Sequence, residues 1–216
     1  MDADFSIELG REDAALDFPW TDPAGKFAHV DLKRRPELMA RIKEAEKFPE
    51  LGEFLRAMNS ARSMVETAKC DAWATTELSA EEEIYDATHK FASYVDVVFS
   101  RIDVRLSSSR ESSSRQSSSR QSSSRQSLSR QSLSDHEQFA RNLVELLRQA
   151  PQAPSAVEVC VRRCYYREEG GVREGFYCTL YVSGYGNDGA SARQNWGAGL
   201  KLMGNAIMQL SAAGVG

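Results

Sequence analysis

The sequence predicts an α+β fold in which an antiparallel sheet is covered on one face by about three helices. Two observations favour this fold class. A helix followed by two strands occurs twice along the chain, and no helical crossover separates the strands of either pair. Strands that follow each other in this way pair antiparallel, and an antiparallel sheet can leave its second face uncovered.

The first 32 residues are predicted to form a strand and a hairpin. Apolar and polar side chains alternate over residues 5–9, which is typical of a half-buried strand. Residues 16–20 and 27–32 flank the sequence Asp-Pro-Ala-Gly at 22–25, in which the proline and the glycine suit a type I turn. We therefore expect an N-terminal hairpin, whose first strand Pro19 confines to a sheet edge.

The remaining elements follow from hydrophobic periodicity. Amphipathic spacing begins at Pro36, Pro49 ends or kinks that helix, and the spacing resumes over residues 51–58. A later helix is expected to begin at Ser134 with a capping box. Strands are predicted at 64–78, 91–99, 156–167 and 176–185, and a last helix from about residue 190. Ile84, Ala87 and Phe91 also fit a helical period, so a helix is the alternative to the strand at 91–99.

The charge of the chain is unevenly distributed. The chain carries −4, but residues 107–134 contain 16 serines and five arginines and carry +4. The other 188 residues, 1–106 and 135–216, therefore carry −8 and are predicted to form one acidic α+β domain. This balance disfavours nucleic acid as a partner, except through residues 107–134.

Residues 107–134 are predicted to be a disordered, low-complexity insert. Arginine recurs every five residues from Arg105 to Arg130, a period that gathers the arginines on no face of a helix or strand. Few apolar side chains offset the entropy of ordering. The arginines could bind phosphate backbones, and the Arg-x-x-Ser spacing could present phosphorylation sites. The near-identical spacing favours a third interpretation, a neutral expansion of a Ser/Arg repeat.

The last strand pair gives the sharpest pattern, because apolar side chains alternate along both of its strands. A turn centred on the two glycines at 170–171 pairs Val161 with Leu180 and Val159 with Val182 on the helix-covered face. In the earlier strand pair, the same alternation assigns Ala68 to the helix-covered face.

If all four strands share one sheet, aromatic and charged side chains collect on the face away from the helices, which we call the second face. The candidate site residues on it are Lys69, Asp71, Trp73, Tyr94, Asp96, Arg162, Tyr166, Tyr177 and Tyr181. Aromatic rings mixed with both charge signs suit a small polar ligand, a protein partner or self-association. The alternative is structural, because Tyr, Thr and Trp are common strand residues and the N-terminal hairpin could cover this face.

No catalytic, cofactor or metal motif stands out. Cys160 and Cys164 should lie about 13 Å apart along a strand, too far for a disulfide, and we expect free thiols. Asp71 and Asp96 are acid–base candidates if they are adjacent. The glycine-rich segment at 184–189 lacks a P-loop pattern and is better explained by a helix N-cap at Asn187 or Asp188.

The sequence therefore predicts a non-enzymatic binding or protein-interaction domain that acts through its second face, without a cofactor. The alternatives are a small-molecule enzyme using Asp71 or Asp96 on that face, and nucleic-acid binding through the Ser/Arg insert. The sequence contains no run of 18 apolar residues, so it predicts no membrane-spanning helix. An acidic N-terminus and sparse cysteines lead us to expect a cytoplasmic location.

Overall fold

The computed structural model describes residues 1–100 and 121–214, apart from the side chains of residues 83–84 and 121–132. In this part of the chain, six strands form one mixed sheet. The strands are β1 (Asp2–Glu8), β2 (Ala15–Phe18), β3 (Val65–Thr75), β4 (His89–Phe99), β5 (Ser155–Glu168) and β6 (Gly171–Gly186). The helices are α1 (Lys43–Lys47), α2 (Pro49–Met58), α3 (Gln121–Arg148) and α4 (Gly189–Ala213), and 3₁₀ turns span Pro36–Arg41 and Ala80–Tyr85.

The strand order is β1-β5-β6-β4-β3, and β2 pairs with the same edge of β5 as β1 does. The three pairings among β3, β4, β5 and β6 are antiparallel, whereas β1 and β2 run parallel to β5. The predicted α+β class is confirmed, but the prediction of a purely antiparallel sheet is wrong. Alternation with period two reveals which side chains share a face, and it carries no information about strand direction.

The predicted N-terminal hairpin is reduced to a tight turn. Its turn forms, since the Gly25 amide donates to the Asp22 carbonyl at 2.9 Å. The arms meet at one isolated antiparallel bridge between Thr21 and Ala28, while β2 pairs with β5. The segment is held to the sheet as well, because the Trp20 indole donates to the Ala68 carbonyl at 2.6 Å.

The β5–β6 hairpin has the predicted faces but a different register. Val161 lies opposite Cys178 and Val159 opposite Leu180, two residues from the predicted partners. The strands continue to Glu168 and Gly171, which lie opposite each other. The turn is therefore shorter and earlier than predicted, and Gly171 adopts the left-handed region with φ 124°. A shift of two residues keeps every side chain on its face.

Helices α2, α3 and α4 cover one face of the sheet, as predicted, and enclose the main core. Fully buried side chains from all three helices, including Leu55, Leu143 and Trp196, pack against the valines of β5 and the inner face of β6. Helix α4 begins at an N-cap, where Asp188 accepts a hydrogen bond from the Ser191 amide at 2.7 Å. The predicted N-cap is therefore confirmed at Asp188.

Helix α3 starts earlier than predicted. It begins at Gln121, so residues 121–134 of the predicted disordered insert are helical and Ser134 is not an N-cap. This stretch contains no proline or glycine, and its serines, glutamines and arginines tolerate a helix that Phe139 and Leu143 anchor to the core. Residues 107–120, also predicted to be disordered, lie outside the described residues.

In the part of the chain that the structure describes, no helix is long and apolar enough to cross a membrane.

Candidate functional site

The nine candidate residues lie on strands β3 to β6. Direct pairs such as Lys69–Asp96, Asp71–Tyr94 and Tyr94–Tyr181 place their side chains together on the second face. A bulge between Thr67 and Lys69 shifts the register of β3. Ala68 consequently packs on the second face, where the alternation had not placed it.

One half of the second face is covered. A small second core contains Leu16 and Phe18 of β2 with Tyr166 and Tyr177 of the sheet, and Trp20 packs against it. Tyr166 donates its hydroxyl to the Phe176 carbonyl at 2.8 Å. Burial raises the pKa of Tyr177 to about 12. The structural interpretation therefore applies to these two tyrosines, which the N-terminal segment shields from a ligand.

A polar network crosses the centre of the second face. Arg162 donates to Glu8 at 2.7 Å and to the side-chain oxygens of Thr179 and Tyr181, each at 3.1 Å. Thr179 in turn donates to Asp96 at 2.7 Å. The network thus links a carboxylate of β1 to a buried carboxylate of β4.

Asp96 is the acid of this network whose pKa is shifted from its ordinary value. Burial raises the pKa of its carboxyl to about 6, and the Thr179 hydrogen bond and the nearby cations Lys69 and Arg162 oppose that rise. Asp71 lies on the neighbouring cross-strand pair, is exposed and accepts a hydrogen bond from the Ala72 amide. The two aspartates are near each other, but their carboxylates have separate partners.

The other half of the second face is open. The rings of Trp73, Tyr94 and Tyr181 form a row with centroid separations of 6.4 and 6.3 Å, and Trp73 is 40 % exposed. Beside this row lies a trough of about 650 Å³. Its floor is made by the small side chains of three adjacent strands, Ala92, Ser183 and Ala156.

The far wall of the trough is also aromatic. Tyr85 and Tyr185 stack with centroids 4.0 Å apart and planes within 7° of parallel. Tyr185 donates its hydroxyl to Glu82 at 2.7 Å, and Lys90 forms an ion pair with the same carboxylate. Although burial disfavours the charged form, these contacts lower the pKa of Glu82 to about 2.

The trough is acidic. Among the residues that the structure describes, five acids and one basic residue, Lys90, line it; the acids are Asp2, Asp4, Glu81, Glu82 and Glu158. Asp4 also lies 3.4 Å from the guanidinium of Arg148, which is outside the lining. Sequence reasoning missed Asp2 and Asp4, because their place depends on the parallel pairing of β1 with β5. Glu158 was detectable, since it alternates with the buried valines of β5.

The thiols offer little chemistry. All four cysteines are free, and burial raises the pKa of Cys160 to about 12. Cys160 lies near Glu8 and Glu158, with ligand atoms within 4.8 Å of one another. A protonated thiol and a carboxylate already bound by Arg162 make this cluster a poor metal site.

Comparisons with protein-family models, curated proteins and solved structures find no match to this chain. The function proposed below therefore rests on the geometry and the charge of the second face.

Proposed function

We propose that the protein is a non-enzymatic binding module whose open trough on the second face binds a ligand carrying an organic cation. The observation that carries this proposal is the combination of aromatic walls with five lining carboxylates. The ligand class covers a small ammonium compound and a lysine or arginine side chain of a protein partner.

Two physical arguments support a cation. An ammonium or guanidinium group is attracted to the face of an aromatic ring, by about 0.5–1 kcal/mol at exposed sites and about 2 kcal/mol when desolvated. Trp73, 40 % exposed, lines the trough together with Tyr181. The Arg162 guanidinium lies 5.6 Å from the Tyr181 ring centroid, so this ring already takes part in one cation–π contact. A concave surface lined by one sign of charge also concentrates the opposite charge.

The size of the trough supports a ligand rather than a bare ion. Its volume of about 650 Å³ falls within the range of small-molecule pockets. The small side chains on its floor let a ligand approach the sheet backbone. Self-association through the same face would bring two acidic troughs together, so the charge favours a different, basic partner.

Calorimetric titration with choline tests the proposal. Choline should bind, and the uncharged alcohol with carbon in place of the quaternary nitrogen should bind far more weakly. Trp73→Ala should weaken choline binding about 2- to 30-fold, the range that corresponds to the cation–π energies above. Val172→Ala is the matched control, since Val172 is an exposed apolar residue (62 % exposed) and does not line the trough.

Two results would overturn the proposal: equal binding of choline and its uncharged analogue, or full affinity in the Trp73→Ala variant. A lysine-rich peptide titrated in parallel separates the two sources of the cation. If the peptide binds and choline does not, the natural ligand is a side chain of a partner.

A second candidate function is acid–base catalysis by Asp96, favoured by its raised pKa. This residue is 6 % exposed and does not line the trough, which weighs against contact with a substrate there. Nucleic-acid binding through the Ser/Arg repeat is a third proposal. It requires an affinity that falls steeply with salt and is lost when residues 107–134 are deleted.

A further inference from the structure

A second cavity lies at the edge of the sheet, beyond Tyr94 and away from the acidic trough. It has a volume of about 560 Å³ and lies between β3, helix α1 and the segment from Trp20 to Leu32. Three candidate residues of the second face line it, Lys69, Asp71 and Tyr94. The proposed function uses the trough, so this cavity is unassigned.

The inner end of the cavity is apolar. Leu32 and Leu55 are buried core residues, 3 % and 1 % exposed, and both reach the cavity wall. Val30, Ile42 and Cys70 add partly buried apolar surface beside them. An apolar body placed here would extend the main core rather than rest on a polar surface.

The mouth of the cavity carries aromatic rings under lysine ammonium groups. Phe27 is 48 % exposed, and the ammonium groups of Lys26 and Lys43 lie 5.3 and 5.9 Å from its ring centroid. The Lys69 ammonium lies 5.5 Å from the ring of Trp20. Among the residues that the structure describes, these three ammonium groups form no ion pair with a carboxylate.

The acids at the cavity are mostly engaged elsewhere. Asp22 accepts hydrogen bonds from the amides of Ala24 and Phe27, and Asp71 accepts one from the next amide in the chain. Glu44 is the remaining lining acid. These amide hydrogen bonds hold the carboxylates in place but leave their charges. Four basic residues line the cavity against these three acids, so its described lining carries a net charge of +1; the basic residues are Lys26, Arg41, Lys43 and Lys69.

We infer that this cavity binds a small amphipathic anion, a carboxylate with an apolar acyl body. The acyl body contacts Leu32, Leu55 and Cys70, and the carboxylate meets Lys26, Lys43 and Lys69 at the mouth. The exposed ring of Phe27 then covers the junction between the apolar body and the charged head. This site is separate from the acidic trough and takes a ligand of opposite charge.

The test uses three eight-carbon probes, octanoate, octan-1-ol and octylammonium, titrated by calorimetry into the chain of 216 residues. Octanoate should bind at least about tenfold more tightly than octanol, since a hydrogen bond to a charged group is worth about that ratio. Octylammonium should bind most weakly. Equal affinity for octanoate and octanol would overturn the inference.

Substitutions locate the binding site. Lys43→Gln and Lys69→Gln should each weaken octanoate binding about tenfold. Lys47→Gln is the matched control, because this lysine shares helix α1 with Lys43 but lies over the Phe48 ring outside the cavity. Unchanged octanoate affinity in both cavity variants would refute the site.

A second readout does not depend on lysine. Cys70 lines the cavity and is the one cysteine that is not fully buried. Burial raises the pKa of the Cys70 thiol to about 12, so the readout is its alkylation by iodoacetamide at alkaline pH, where a larger fraction is thiolate. Saturating octanoate should slow this alkylation, and an unchanged rate would contradict binding there. The Trp73→Ala variant should keep its octanoate affinity, so failure of the choline test and failure of this test are distinguishable.

Discussion

Replacing Asp96 by asparagine should stabilise the protein at neutral pH. The buried carboxyl has a pKa of about 6, against an ordinary value of 3.8, because burial disfavours its charged form. An asparagine of the same shape carries no charge and can still accept the Thr179 hydroxyl that now donates at 2.7 Å. The substitution therefore removes the cost of burying a charge and keeps the hydrogen bond.

The sign and the size of this change in the free energy of unfolding follow from proton linkage. Between pH 3.8 and about 6 the folded protein holds a proton on Asp96 that the unfolded chain has released. The stability that this group contributes is full below pH 3.8 and is lost as the pH rises to about 6. A difference of about two between the pKa of this group in the folded protein and in the unfolded chain corresponds to about 3 kcal/mol of unfolding free energy. The advantage of Asp96→Asn over the wild type should grow from near zero at pH 4 to about 3 kcal/mol at pH 7.

Urea unfolding of both proteins at several pH values between 4 and 7, followed by tryptophan fluorescence, measures this difference. Comparing the two proteins at each pH cancels the other titrating groups. Asp71→Asn is the matched control, because it changes an exposed carboxyl of the same face and should shift stability by less than about 0.5 kcal/mol. A constant difference between Asp96→Asn and the wild type across this range would refute the reasoning.

Two further substitutions test the packing. Gly184→Ala should lower the melting temperature severely, because its Cβ would lie 2.0 Å from the Trp196 backbone nitrogen, whereas Gly189→Ala has open space and should be tolerated. Asn59→Ala should cost about 1–3 kcal/mol in urea unfolding, because it leaves the buried amide of Thr67 without the acceptor that now lies at 3.1 Å. A melting temperature of Gly184→Ala within a degree of the wild type would contradict this packing. An unchanged free energy of unfolding in Asn59→Ala would contradict the Thr67 hydrogen bond.

The face on which each side chain of β5 and β6 lies was predictable from the sequence, but the exact register of these strands was not. The valines of β5 and the apolar residues of β6 alternate without interruption, so their burial could be assigned from the sequence. The register depended on the turn, and adjacent glycines at 170–171 allow more than one turn position. In β3 the alternation itself misled, because a bulge at Thr67–Lys69 moves Ala68 to the second face.

The candidate site was predictable in part for the same reason. Trp73, Tyr94 and Tyr181 follow from alternation alone, and the structure brings them into one row. Coverage of the second face by the N-terminal segment was an open alternative, but its restriction to Tyr166 and Tyr177 depends on where that segment crosses the sheet. The acidic character of the trough likewise depends on a strand pairing between distant parts of the chain.

That pairing has a consequence for how the chain folds. Asp2 lies opposite Ala156, so β1 meets its partner strand only after most of the chain has been synthesised. Pairings between such distant residues slow folding, because the entropy of closing the loop is lost before the contacts form. Until then the outer edge of β5 is exposed and offers unpaired backbone groups to other chains. A truncated chain without β1 and β2 should therefore aggregate during refolding even if the helix-covered core can still form.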